Sequence, residues 1–198
     1  MSSKNLIRWG GLAALVSGVA SVTGDLLRLL VDVESAESAT TVAYALVFSM
    51  YLLGAALLLL GLVGLYVSQA EEAGVPGLVG FLAAFAGTVL LAGTLWFELF
   101  VTPALAVEDA GLAEAELGLA GFILAFLLVL LGWLVFGVAT LRARVYPRWA
   151  AALLIVGVVL TFFPVPLSGV VFSVAVAWLG FILFTGKSVP VGESLRVS

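Results

Sequence analysis

The chain contains no cysteine and no histidine. Their absence removes disulfides, thiolate chemistry, histidine-ligated haem, iron–sulfur clusters and ordinary zinc sites in one step. Any acid–base chemistry must come from Asp, Glu, Lys, Arg or Tyr. Charge is scarce as well. Charged residues make up 10% of the 198 residues and the formal net charge is −4. That is too little charge to clothe a water-soluble domain of this size. No basic stripe is present to hold nucleic-acid phosphates, so nucleic acid is not an expected partner. No Gly-rich turn is followed by Lys-Ser or Lys-Thr, so there is no phosphate loop. Nothing in the sequence calls for a cofactor, a metal or a catalytic residue.

What remains is apolar. Hydrophobic residues make up 64% of the chain, gathered into long runs between short polar breaks. A bilayer takes runs of about 20 apolar residues as spanning helices. The expected fold is therefore all-α: one polytopic transmembrane helical bundle over residues 1–198. Six spans are expected, at about 9–31, 41–67, 77–107, 117–141, 149–163 and 167–186. Pro164-Val-Pro166 writes a tight turn between the last two, because proline stops both helices. The first apolar run is too long for a signal-peptide core and no Ala-x-Ala site follows it, so it reads as a retained helix.

Orientation follows from the basic residues. With the N-terminus in the cytoplasm, Lys4, Arg8, Arg142, Arg144, Arg148, Lys187 and Arg196 all lie inside, seven of the eight basic residues. Only Arg28 lies towards the outside. The expectation is N-in and C-in. A five-span alternative, with the fifth segment re-entrant, would put Lys187 and Arg196 outside. A weak repeat is also visible. Arg8-Trp9-Gly-Gly, Gly77-Leu-Val-Gly80 and Arg148-Trp149-Ala-Ala open the odd spans. Leu60-Gly61-Leu62, Leu131-Gly132-Trp133 and Leu179-Gly180-Phe181 end the even ones. Three repeated hairpins or convergent membrane composition both account for it.

The segment Leu141-Arg-Ala-Arg144-Val-Tyr-Pro147-Arg148-Trp149-Ala resembles a hairpin of small bacterial multi-span proteins from high-GC lineages, in families of the domain-of-unknown-function type. The resemblance covers mainly the fourth and fifth spans. It implies a multi-pass protein of the bacterial cytoplasmic membrane and carries over no catalytic or binding residue.

Charges inside spans are expensive, so each is a candidate functional group. Asp25 and Arg28 share a face of the first span, three residues apart. Glu98 lies in the third. Counting at about 1.5 Å per residue, all three fall near the outer leaflet. Ala13, Ser17 and Ser21 continue the face of Asp25. Gly80, Ala84, Gly87, Thr94 and Thr102 continue that of Glu98. Small residues allow close helix approach, so the two faces are expected to meet, with Arg28 in reach of Asp25 or Glu98. Tyr44, Phe48 and Tyr51 form one face of the second span and are expected to border the same place. The cluster reads either as a structural lock between helices or as an outward-facing binding pocket. Trp96, Phe97 and Phe100 read as an interfacial belt. Arg142, Arg144 and Arg148 set topology and are candidates for lipid headgroup contact.

Three function classes follow. The first is a non-enzymatic membrane subunit or accessory protein. The second is a small transporter or channel using Asp25, Arg28 and Glu98. The third is a lipid-processing enzyme. The expected partners are the lipid bilayer and other membrane subunits or a second copy of the chain.

Overall fold

The computed structural model describes residues 3–31, 33, 35, 37–107, 116–163 and 167–186. Within them the chain forms seven α-helices and one short 3-10 turn. They are α1 (Ser3–Arg28), the turn Ser38–Thr40, α2 (Val42–Val67), α3 (Ala70–Phe100), α4 (Thr102–Val107), α5 (Glu116–Ala143), α6 (Arg148–Leu160) and α7 (Ser168–Thr185). The acidic residues Asp32, Glu34, Glu108, Asp109 and Glu114, the Pro164–Pro166 turn and the tail with Lys187, Pro190 and Arg196 lie outside the described residues.

Local chemistry accounts for the helix ends. Thr41 caps α2: its side-chain oxygen accepts the Tyr44 N–H at 3.2 Å, satisfying one of the donors a helix start leaves unpaired. Gly74 breaks the line of α3 with φ 56° and ψ −152°, a region open almost only to glycine. Pro76 then falls in the first turn after the kink, where a missing N–H costs nothing. The third apolar stretch is thus preceded by a helical turn at Ala70–Ala73, where the sequence suggested only a polar break. Its far end also differs from expectation. Pro103 cannot continue the ladder from Leu99, so α3 stops at Phe100 and the remaining residues form the separate helix α4. Pro147 precedes α6, and Gly186, at φ 69°, closes α7 in the left-handed conformation.

The helices close into a ring in chain order. α1 packs on α2, α2 on α3, α3 on α5, α5 on α6, α6 on α7, and α7 returns to α1. α1 and α7 are antiparallel: Gly169, at the start of α7, lies beside Asp25, and Phe184, near its end, lies beneath Arg8. The ring therefore has one end carrying Asp25 and Glu98, the carboxylate end, and one carrying Arg8 and the α5–α6 turn, the basic end. Its centre is filled. Leu62, Leu65, Trp133, Phe136, Leu154 and Leu179 are fully buried there and belong to one continuous apolar cluster.

The outside of the ring is apolar too, with Leu60, Val79, Leu82, Leu124 and Leu131 among many large exposed side chains. In water such a surface aggregates; a bilayer solvates it. Among the described residues, five helical segments are long and apolar enough to cross a membrane: Asn5–Arg28, Val42–Val67, Ala70–Phe100, Gly121–Ala143 and Ser168–Thr185. α6 has 13 residues, about 20 Å of helix, against a hydrocarbon thickness of about 30 Å.

Two of the three Leu-Gly-x steps noted in the sequence sit in like surroundings. Gly61 of α2 sits against Ala14 of α1, and Gly132 of α5 sits against Ala84 of α3. In both, the preceding leucine is exposed (Leu60 61%, Leu131 55%) and the following residue is fully buried (Leu62, Trp133). Gly180 departs from this pattern. It faces Gly11, Ala14 and Leu15 of α1 rather than its own hairpin partner α6. Its flanks are swapped as well, with Leu179 buried and Phe181 exposed.

Candidate functional site

The carboxylate end is built on α2. Tyr44, Phe48 and Tyr51 recur at four- and three-residue steps and so share one helix face. Their rings form a ladder. Tyr44 and Phe48 lie 4.4 Å apart between centroids, and Phe48 and Tyr51 lie 6.3 Å apart, edge on. Each tyrosine serves a different carboxylate. The Tyr51 hydroxyl donates to Asp25 Oδ1 at 2.8 Å. Gly24 makes room for this, since a side chain there would strike the Tyr51 ring. The Tyr44 hydroxyl donates to Glu98 Oε2 at 2.6 Å, and Thr102 Oγ1 donates to the same oxygen at 3.0 Å. Tyr44 is only 2% exposed. The Ser38–Thr40 turn packs on both α2 and α4 at this end of the ring.

Arg28 acts at the first of these two places. Its charge bears on both the Asp25 carboxylate and the Tyr51 hydroxyl. The structure thus brings Asp25, Arg28 and Tyr51 together and places Glu98 with Tyr44 and Thr102. The expectation that the small faces of α1 and α3 meet is corrected. The α1 face packs on α2: Ser17 is buried and its hydroxyl donates to the Gly54 carbonyl at 2.8 Å, with Ser21 beside the same glycine. The α3 face packs on α5, through Gly80 against Phe136 and Gly87 against Val129. α2 stands between them, and its tyrosines link what the two small faces do not join directly.

Both carboxylates are half-buried, and hydroxyl donors meet each of them. Hydrogen bonds to a charged acceptor are about twice as strong as neutral ones, which offsets the cost of partial burial. Among the described residues, no group of three or more Asp or Glu side chains is placed to hold a metal ion. The belt residues Trp96, Phe97 and Phe100 are exposed on α3, with Trp96 and Phe100 in ring contact.

A second polar cluster lies at the basic end, and the sequence reading passed over it as a loop. Gln69, fully buried, donates from Nε2 to Thr140 Oγ1 at 2.8 Å. Thr140 in turn donates to the Phe136 carbonyl, so its one proton is committed and it must accept from Gln69. The other amide atom, Gln69 Oε1, is buried with no hydrogen-bond partner among the described residues. Beside it Ser68 Oγ and the Tyr146 hydroxyl are 2.6 Å apart. Burial pushes the Tyr146 phenol above its ordinary value. The one available signal was an uncharged Ser-Gln pair ahead of Glu71 and Glu72. Arg142, Arg144 and Arg148 sit exposed around the α5–α6 turn, with Arg144 in the left-handed conformation at φ 57°.

No family model matches the chain, and no curated protein or solved structure matches it.

Proposed function

We propose that this chain is a non-enzymatic integral membrane subunit or accessory protein, with six spans and both termini in the cytoplasm of a bacterial cell. The observation that carries the reading is the filled centre of the ring. Leu62, Leu65, Trp133, Phe136, Leu154 and Leu179 are fully buried and form part of one continuous apolar cluster inside it. The carboxylates of Asp25 and Glu98, the candidate groups for a transport cycle, are bonded to Tyr44, Thr102 and Tyr51 at one end of the bundle. The reading makes them helix-to-helix ties. The distribution of basic residues supports the orientation. The alternating course of α5, α6 and α7 supports a sixth crossing, made by α6 with the residues that follow it. The resemblance of the Leu141–Ala150 hairpin supports the bacterial membrane.

Reconstitution tests the activity. Vesicles carrying the purified chain should leak protons, sodium and potassium no faster than empty vesicles. Cation flux abolished by Glu98→Gln would overturn the reading. A reporter fused after Ser198 should behave as cytoplasmic, and a periplasmic signal there would overturn the topology.

A second reading rests on the half-burial of Asp25 and Glu98 at the two ends of one tyrosine ladder. It makes the carboxylate end a binding site for a cation or a polar headgroup. It requires that Glu98→Gln leave thermal stability intact while abolishing that binding.

A further inference from the structure

The ring leaves a groove on its outer surface between α1 and α7. At the basic end it opens in a cavity of about 350 Å³, lined by Asn5, Arg8, Trp9, Leu12 and Phe184. Further along the same two helices lies a second cavity of about 550 Å³. Leu15, Val19 and Val22 wall it on one side and Trp178 and Phe181 on the other. The rows are continuous. Leu12 leads to Leu15 on α1, and Phe184 leads to Phe181 on α7, each one helical turn along. Both volumes lie in the range of about 300–1,000 Å³ typical of ligand sites.

We infer that this groove holds one anionic glycerophospholipid, its phosphate on Arg8 and Asn5 and one acyl chain along Gly18 and Ala177. Depth is the first argument. Arg8 begins the apolar run of α1 and lies 17 residues from Asp25, about 26 Å along the axis. It therefore sits close to one interface of a core about 30 Å thick. From Leu12 to Val22 the groove runs about 15 Å, the depth of one leaflet.

Charge is the second argument. Among the described residues no Asp or Glu lines either cavity, and the cation at the mouth is an arginine, whose fork of donors matches phosphate oxygens. The Arg8 guanidinium lies 5.1 Å from the centre of the Phe184 ring, a cation–π contact that holds it at the groove mouth. Below it the walls are almost wholly apolar. Thr23 is the one hydroxyl there, and it is spent on the Val19 carbonyl at 2.8 Å. Trp149 braces Trp178 with 5.3 Å between ring centroids, which fixes the wall. The floor is nearly bare backbone, since Gly18 meets Ser173 and Ala177 directly. A purely apolar helix seated here would bring Arg8 no anion at interface depth. A phospholipid supplies one there and a chain beneath it. The inference goes beyond the accessory role and stands whichever side of the membrane Arg8 faces.

Native mass spectrometry of the full chain in detergent, titrated with phosphatidylglycerol, phosphatidylcholine or inorganic phosphate, tests it. One phosphatidylglycerol should bind at least tenfold more tightly than phosphatidylcholine. Arg8→Gln should weaken it tenfold or more and erase the preference. Val19→Trp fills the groove from an exposed position and should weaken it at least fivefold with Arg8 intact. Lys187→Gln, which removes one positive charge elsewhere in the sequence, should change it less than twofold. Equal binding of the two lipids would overturn the inference. So would a Lys187→Gln loss matching that of Arg8→Gln, which marks diffuse attraction, or a Val19→Trp variant that binds as the parent does. Displacement of the lipid by millimolar phosphate would identify a free-anion site instead. A dimer lost on Val19→Trp would identify a second copy as the occupant.

Discussion

The two ends of the ring solve one problem in opposite ways. At the carboxylate end the polar groups are ions, Asp25 and Glu98, half-exposed and met by hydroxyl donors. At the basic end the buried polar groups are neutral, Gln69, Thr140 and Tyr146, and they are shut away completely, one oxygen of Gln69 with no hydrogen-bond partner among the described residues. Burying a charge costs far more than burying an amide. The ions therefore stay where water is near, and the neutral groups go deeper. The difference predicts that the quieter cluster, without a net charge, is the less tolerant of change.

The contact that joins both ends should be the most sensitive. Ser17 is 2% exposed against Gly54 midway along α1 and α2. Ser17→Leu should force the backbones apart at a cost of about 3 kcal/mol or more. Thermal melts in detergent measure this. Unchanged stability would mean that the two helices are not in close contact.

Next comes the basic end. Thr140→Val removes the acceptor of Gln69 Nε2 and leaves the whole buried amide unpaired, which should cost about 1–3 kcal/mol. The double variant Thr140→Val with Gln69→Leu should recover most of the loss, because removing both partners is nearly neutral. A double variant worse than the single one would break the comparison.

The carboxylate end should yield less. Tyr44→Phe leaves Glu98 with Thr102 and some water, for an expected cost of about 1–2 kcal/mol. Glu98→Gln retains an acceptor for both hydroxyls and should cost less still. Arg28→Gln, on the exposed side of Asp25, should cost about 0–1 kcal/mol. A coupling energy near zero between Tyr44→Phe and Glu98→Ala, which removes the acceptor, would remove the tie on which the structural reading rests.

The smallest effect concerns pH. Tyr146 lies outside the spanning helices, and its phenol titrates higher in the folded chain than in the unfolded one. Its contribution is complete below the unfolded value of about 10 and is lost as the pH rises beyond it. Tyr146→Phe should flatten part of the stability loss between pH 9 and 11, on the order of one proton's share, and leave the slope near pH 7 unchanged.

Much of this was legible from residue order. The bounds of α2 fall within a residue of the apolar run, since Thr41 caps one end and Ser68-Gln69 closes the other. The Tyr44, Phe48 and Tyr51 face follows from spacing alone. Spacing gives a face but not its neighbour, so the assignment of Tyr44 to Glu98 and Tyr51 to Asp25 was not readable. Nor was the separation of α1 from α3. Both present small residues, and small residues pack equally well on any helix that offers the same. Gln69 was hidden for a different reason. Polar residues between spans usually face water, and only the fold of Ala70–Ala73 and the kink at Gly74 turn this one inwards.

The sequence by itself determined the class of solvent, the all-helical backbone and the ends of α2. Those follow from the cost of unpaired peptide groups in hydrocarbon and from local proline, glycine and threonine chemistry, none of which needs a partner. Only the tertiary structure decided the ring order, the filled centre and the pairing of each carboxylate with its own tyrosine. Helices that are apolar on every side carry little record of which face turns inwards. That choice is made by shape, where Gly61 meets Ala14, Gly132 meets Ala84 and Gly180 turns away to α1.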